Sequence, residues 1–196
     1  MLHHLLHCDA VLFLCINSRH APGIDLFFMV VTWLGEGWVA VPLAAAALIA
    51  AAPRPLLAKM LLVAVIAGAL TGVCNTQIKR IVNRPRPSAF FASEGRPRAV
   101  RVLGERLEQD SFPSGHTATA FAAAAIVFLF LKKKHFGVFI PAVFVAYSRV
   151  YVGAHFPLDV AGGAMVGCCI PVFVITLFRR WLFSPLPAAQ EHVHDQ

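Results

Sequence analysis

The sequence predicts an all-α, polytopic membrane helical bundle of about five to six transmembrane helices, built as one domain over residues 1–183. Three observations lead there. The 196 residues are 58% apolar and only 14% charged, where a soluble domain carries about 25% charged residues. Mean hydropathy is +0.70. Apolar runs near the length that crosses a bilayer, about 17–25 residues, recur between short polar clusters.

Residues 5–16 (L-L-H-C-D-A-V-L-F-L-C-I) are too short to span and contain Asp9, so they predict an interfacial helix. Residues 24–52 are too long for one straight span and are interrupted by G-E-G at 35–37. The expectation is a shallow or interfacial segment over 24–34 and a first span over 37–52, with residues 1–36 forming the N-terminal segments. P-R-P at 53–55 makes a turn into a second span over 56–78. A polar segment follows over 80–113, carrying Arg80, Arg84, Arg86, Arg96, Arg98, Arg101 and Arg106. A third span runs over 115–131 to Lys132, Lys133 and Lys134, a fourth over 136–152, and a fifth over 157–178 to Arg179 and Arg180. Residues 184–196 predict a disordered tail.

The formal charge of +7 does not point to nucleic acid, because the basic residues sit between apolar runs and not along a polar face. Anionic lipid or phosphate suits that placement better. Cys8, Cys15, Cys74, Cys168 and Cys169 form no C-x-x-C pair and no metal-ligand spacing, and read as small apolar filler. M-L-H-H-L-L-H-C-D lacks a basic n-region and a small-residue cleavage site, so no cleaved signal peptide is expected. The histidines of the two ends (His3, His4, His7, His192, His194) have no carboxylate or cysteine partner that would make a site.

Each predicted crossing alternates sides. Lys79 and Arg86 close span two, Ser114–His116 open span three, Ser148–Arg149 close span four, and His155–Asp159 open span five. All four clusters therefore fall on one face. The opposite face receives Arg54, Lys59, the lysine run and Arg179–Arg180, and the lysine run places that face in the cytoplasm.

Ionisable groups at membrane depth are costly and mark function. Lys79, Arg86 and Arg149 are cations placed to hold an anion, and arginine forks match phosphate oxygens. Ser114 and Gly115 head a helix whose free N–H groups suit the same anion. His155 stands at the entrance of span five with Asp159 in its first turn, where an acid can accept the imidazole N–H and leave the other nitrogen free to attack. His116 is then placed to protonate a leaving oxygen. Such a site needs no metal and no cofactor. Taken singly, each feature has a plainer reading: an interfacial histidine that only packs, a snorkelling Arg149, an N-cap at Ser114.

Taken together, the residues resemble the type 2 phosphatidic-acid phosphatases, which share their phosphate site with vanadium haloperoxidases and acid phosphatases. The first motif, K-x6-R-P, matches Lys79, Arg86 and Pro87; the second, P-S-G-H, matches Pro113 to His116. The third, S-R-x5-H-x3-D, matches Ser148, Arg149, His155 and Asp159. The resemblance implies that His155 is the nucleophile forming a phosphohistidine, that Asp159 orients it, and that His116 is the general acid and later assists water. It implies that Lys79, Arg86, Ser114, Gly115 and Arg149 hold the phosphoryl oxygens. The family fold is a helical bundle, often with six spans.

The expected function is a metal-independent lipid phosphatase of the bacterial inner membrane with its site at the outer face. Its partners would be the bilayer and a phosphorylated membrane lipid, with undecaprenyl diphosphate first. Phosphatidylglycerophosphate, phosphatidate and lipid A phosphate come next, and a lipid phosphotransferase would use the same intermediate. The long apolar spans argue against a haloperoxidase. Glu36, between two glycines and flanked by Trp33 and Trp38, reads either as a lining of the entrance or as a packing break.

Overall fold

The computed structural model describes residues 2–131 and 136–184. The lysine run and all of the expected tail except Ser184 lie outside them. In chain order the helices are α1 (Leu2–Asn17), α2 (Pro22–Val31), α3 (Gly37–Ala51), α4 (Arg54–Val82), α5 (Pro87–Ser93), α6 (Gly115–Leu131), α7 (Ile140–Tyr151), α8 (Pro157–Leu177) and α9 (Arg179–Leu182). Short 3-10 turns cover Thr32–Gly35, Pro97–Ala99 and Phe136–Phe139.

The five expected spans correspond to α3, α4, α6, α7 and α8. Among the described residues, α4 and α8 are long and apolar enough to cross a bilayer unaided. With 15 residues, α3 reaches only about 22 Å at 1.5 Å per residue, short of a hydrocarbon core about 30 Å thick. It reaches spanning length together with the preceding arm, Pro22–Gly35, from which it is bent by 65°. The bend falls at the G-E-G that the sequence marked, and the 24–34 segment is thus one limb of a bent pair. The helices α1 and α6 and the Phe136–Tyr151 segment are shorter apolar elements packed against the long ones.

Local chemistry sets the boundaries. Proline occupies the first turn of α2, α4, α5, α7 and α8, where the missing N–H costs nothing and φ is already helical. Asn83 ends α4 in the left-handed region (φ 43°), its N–H donating to the Lys79 carbonyl at 2.8 Å. That residue type tolerates the conformation, and the chain turns there into R-P-R-P.

The tightest crossing is between α6 and α8, and its cause is small side chains. A Cβ on Gly163 would fall 2.5 Å from the Ser114 carbonyl oxygen, and one on Gly167 would fall 2.9 Å from Phe121 Cβ. The spacing Gly163-x3-Gly167 is the small-x3-small stripe that lets membrane helices approach backbone to backbone. Ala118, Ala122 and Ala125 bury the facing side of α6. Large side chains at the periphery, such as Val65, Ile81, Met165 and Phe173, are exposed, as lipid-facing positions should be.

At one end of the bundle a core of Leu48, Met60, Val63, Ile126, Phe130 and Leu182 closes the packing. There the Lys59 ammonium donates to the Trp181 carbonyl at 3.1 Å, so the starts of the second span and the end of the fifth share a face, as the side-count requires. At the other end Phe13, Phe91 and Phe156 pack together, with Phe13 and Phe156 centroids 5.3 Å apart. This ties α1 to the polar segment and to the entrance of α8.

The polar segment 80–113 is folded over that end. Arg86 N–H donates to Glu108 O (2.8 Å) and Ser111 N–H to Arg84 O (2.9 Å), closing its base. Leu103 N–H donates to Val152 O at 2.9 Å. The buried Asn17 amide spans three backbone groups: it donates to Arg101 O and Tyr151 O and accepts from Arg101 N–H. Beside it, Asp25 accepts from the Tyr151 hydroxyl at 2.6 Å and pairs with His20 at 2.8 Å.

Candidate active site

Each element around the folded-over end delivers one polar side chain to a cavity of about 500 Å³. The last turn of α4 brings Lys79, and the turn before α5 brings Arg86. The mouth of α6 brings Gly115 and His116, the end of α7 brings Arg149, and the link between α7 and α8 brings His155. Residues 76 positions apart in sequence, from Lys79 to His155, thus meet in one chamber, because each stands at a helix end on the same side. Asp159 and Ser114 are fully buried behind its wall. All eight residues singled out from the sequence are accounted for: six on the cavity wall and two supporting it.

Each cation is anchored by part of its donor set and keeps the remainder. The Lys79 ammonium donates to Asp110 O at 2.5 Å. Arg86 donates through Nε to Gln109 O (2.9 Å) and through one terminal nitrogen to Ala154 O (3.3 Å). Arg149 donates to the Thr32 hydroxyl at 2.7 Å, while its buried Nε has no partner among the described residues. Among the described residues, three buried side-chain polar atoms are unpaired in this way: Arg149 Nε, His155 Nδ1 and Asn75 Oδ1. The first two lie on the cavity residues, and Asn75 lies against Gly115. Unpaired buried groups cost free energy, and their concentration here marks a region arranged for a ligand and not for packing.

His155 is 2% exposed. It sits in the link outside the helices, and burial, reinforced by Arg149 and Arg86, pushes its pKa down to about 3 from an ordinary 6.5. The imidazole is therefore neutral, the form a nucleophile requires. Its Nδ1 faces Asp159 Oδ2 at 3.7 Å. That is ion-pair range but longer than a hydrogen bond, so the expected N–H to carboxylate bond is poised and not formed.

Asp159 is instead held in place by other donors. Its carboxylate accepts from the Ser111 hydroxyl (2.5 Å), the Phe156 N–H (2.8 Å) and an Arg84 guanidinium nitrogen (2.6 Å). The second terminal nitrogen of Arg84 donates to Asp9 at 2.7 Å, and the other oxygen of Asp9 accepts the Leu158 N–H at 2.8 Å. Ser114 N–H donates to Asp159 O at 2.9 Å, and the Ser114 hydroxyl accepts from Thr117 at 3.0 Å. The two halves of the site are thus stitched together through main chain.

Arg84, Asp9, Ser111 and Thr32 were not among the residues singled out from the sequence. Two of them carried a usable signal. Asp9 is a lone acid in an apolar helix, which demands a partner, and Arg84 stands one proline away from the motif arginine. Ser111 and Thr32 have no such mark.

The family model of the PAP2 superfamily matches residues 56–183. A lipid A 4′-phosphatase from Bacteroides thetaiotaomicron is 32% identical over 194 residues, covering 93% of this chain and 78% of that protein. An undecaprenyl-diphosphatase from Sulfolobus acidocaldarius is 30% identical over 161 residues, covering 81% of this chain and 73% of that one. A shorter match, 41% over 75 residues, is to the bacitracin transport permease protein BcrC of Bacillus licheniformis; the chain spans only 37% of that protein's length. Among solved structures, LpxE of Aquifex aeolicus superposes with a TM-score of 0.69 at 32% identity over 84% of this chain and 93% of that one. A transmembrane PAP2-type phosphatidylglycerolphosphate phosphatase from Bacillus subtilis, 23% identical, superposes with the same TM-score over 90% and 87% and shows the shared fold. Sequence, fold and relatives agree that this chain is a membrane-embedded phosphatase belonging to the PAP2 superfamily.

Proposed function

We propose that the protein removes phosphate from a phosphorylated membrane lipid at the outer face of the bacterial inner membrane, through a phosphohistidine and without a metal. The observation that carries this reading is the convergence of two histidines and three cations on one cavity, with Asp159 directly behind one histidine. Lys79, Arg86 and Arg149, with the N–H groups at the mouth of α6, supply the charge stabilisation that a transferring phosphoryl group needs. With Nδ1 of His155 turned to Asp159, Nε2 attacks phosphorus. The N–P bond forms, the P–O bond to the lipid breaks, and the leaving oxygen takes a proton from His116. Water then attacks the phosphohistidine, gives a proton back to His116, and releases inorganic phosphate as the N–P bond breaks.

An apolar groove of about 390 Å³ lies between α3, α4 and α6, lined by side chains such as Val41, Ala64, Val65 and Ile126. Its lining includes Gly37, next in the chain to Glu36, and Thr119, one helical turn beyond His116, so the groove runs toward the end of the bundle that holds the phosphate cavity. A groove of this size takes part of a hydrocarbon chain beside the headgroup. The undecaprenyl-diphosphatase relative, covered over 73% of its length, supports undecaprenyl diphosphate as first substrate. The high coverage of the lipid A 4′-phosphatase supports lipid A phosphate as the second.

The test is phosphate release by purified protein in detergent with EDTA. Undecaprenyl diphosphate, lipid A, phosphatidylglycerophosphate and phosphatidate are run side by side, with His155→Ala as control. Release from one lipid, absent in the variant and indifferent to EDTA, is the expected result. Strong EDTA inhibition overturns the metal-free mechanism. A labelled second lipid in place of free phosphate makes the protein a phosphotransferase.

A further inference from the structure

The general acid has its own carboxylate. Glu36 stands in the elbow between the two limbs of the bent pair, and its Oε1 lies 2.8 Å from His116 Nε2. It occupies the N-cap position of α3 with extended backbone (φ −72°, ψ 137°), yet its side chain makes no cap hydrogen bond. The acid is therefore not spent on the helix it precedes, which is the usual use of a polar residue at that position. The approach of the elbow is itself built. A Cβ on Gly35 would fall 2.8 Å from His116 Cβ, 2.9 Å from the His116 carbonyl oxygen and 2.7 Å from a Val145 methyl, so only glycine lets the elbow lie there. From the same elbow Thr32 accepts the Arg149 hydrogen bond. Gly-Glu-Gly thus places one carboxylate against one catalytic nitrogen, and the packing-break reading accounts for the glycines but not for the acid.

We propose that Glu36 is a positioning residue for His116, accepting its Nε2–H and favouring the imidazolium, the form in which Nδ1 also carries a proton to donate. The cavity then carries two opposed histidine–carboxylate pairs, His155 with Asp159 and His116 with Glu36. The charged groups facing His116 from the packed elements are Arg149 of α7, Arg86 of the segment before α5 and Glu36 itself. Burial and the two guanidiniums oppose an imidazolium, and the hydrogen-bonded carboxylate of Glu36 is the group that favours it. Without Glu36 the site would hold phosphate well and protonate the leaving oxygen poorly. The inference rests on His116 as general acid.

The experiment compares two leaving groups in single turnovers with enzyme in excess, reading release of the leaving group. 4-Nitrophenyl phosphate expels a stable nitrophenolate that needs little protonation, whereas dioctanoyl phosphatidate expels a diacylglycerol alkoxide that needs it fully. Glu36→Gln should slow the phosphatidate reaction roughly tenfold to a hundredfold, a part of what a general acid contributes, and the nitrophenyl reaction by less than about threefold. Glu36→Asp should restore most of the difference. The ratio between substrates does not depend on the fraction of protein correctly folded. An equal loss on both substrates, or none on either, overturns the role of Glu36. His116→Asn separates the two claims: if it is selective against phosphatidate and Glu36→Gln is not, only Glu36 is wrong. If His116→Asn shows no selectivity, the general-acid assignment fails and the inference with it.

Discussion

Arg84 is one guanidinium serving two carboxylates that are almost wholly withdrawn from solvent. The side chains of Asp9 and Asp159 are 1% and 0% exposed, and each meets a different terminal nitrogen of Arg84 at 2.7 and 2.6 Å. The Arg84 guanidinium also stacks 4.3 Å from the Phe156 ring centroid. A forked, planar cation can bridge in this way and a lysine cannot. Removing it strands two buried charges, and losing one partner of a buried pair costs about 3–5 kcal/mol. Arg84→Met should therefore lower stability by about that amount in a denaturant titration of the detergent-solubilised protein. Adding Asp9→Asn removes one stranded charge, so the double variant should be more stable than Arg84→Met alone. A double variant that is simply the sum of the two singles would mean that Arg84 and Asp9 are not coupled.

At the level of elements, the α6–α8 crossing sets the distance between the two histidines, since His116 opens one helix and the His155 link opens the other. The crossing is governed by Gly163 and Gly167, where an added Cβ meets Ser114 O, Phe121 Cβ or main chain of α6. Gly163→Ala should cost about 1–3 kcal/mol, as overpacking does, and should depress turnover because Ser114 is displaced with the helix mouth. On α4, a Cβ at Gly68 meets nothing within 4 Å, so Gly68→Ala should be neutral or stabilising by up to about 1 kcal/mol. Thermal midpoints of the two variants check both statements, and similar losses for the pair would refute the packing argument. This scale also shows why some of the architecture was legible in the sequence. Helix ends were written in prolines, in lysine and arginine stops and in P-S-G-H, so α6 was expected at 115–131 and is found at Gly115–Leu131. The helix α5 and the folded course of the polar segment were not legible. They depend on backbone-to-backbone bonds such as Leu103 N–H to Val152 O, which leave no periodicity in sequence. The role of Arg84 was hidden for a similar reason, since its partners lie 75 positions away on either side.

The whole molecule holds a polar chamber and an apolar groove that runs toward the same end of the bundle, and the two together suit a ligand with a phosphorylated head and a hydrocarbon tail. The chamber was readable because side alternation alone gathers Lys79, Arg86, His116, Arg149 and His155 on one face. The groove was not readable, because it is the space left between the apolar stretches of α3, α4 and α6, and nothing in those stretches marks which face stays open. A groove built for a chain should contribute binding only to substrates that have one. Gly72 and Ala64 line it, and Gly72 has open space where a side chain would go. Gly72→Phe should therefore fill the groove without disturbing the packing behind it. For a long-chain polyprenyl diphosphate KM should rise, with each buried methylene denied worth about 0.8 kcal/mol; for 4-nitrophenyl phosphate kcat/KM should stay near the original value. The lost binding is made in ground and transition states alike, so the effect belongs in KM and not in kcat. Equal impairment on both substrates would place the damage in the phosphate site, and no impairment on either would mean that the chain lies elsewhere along the bundle.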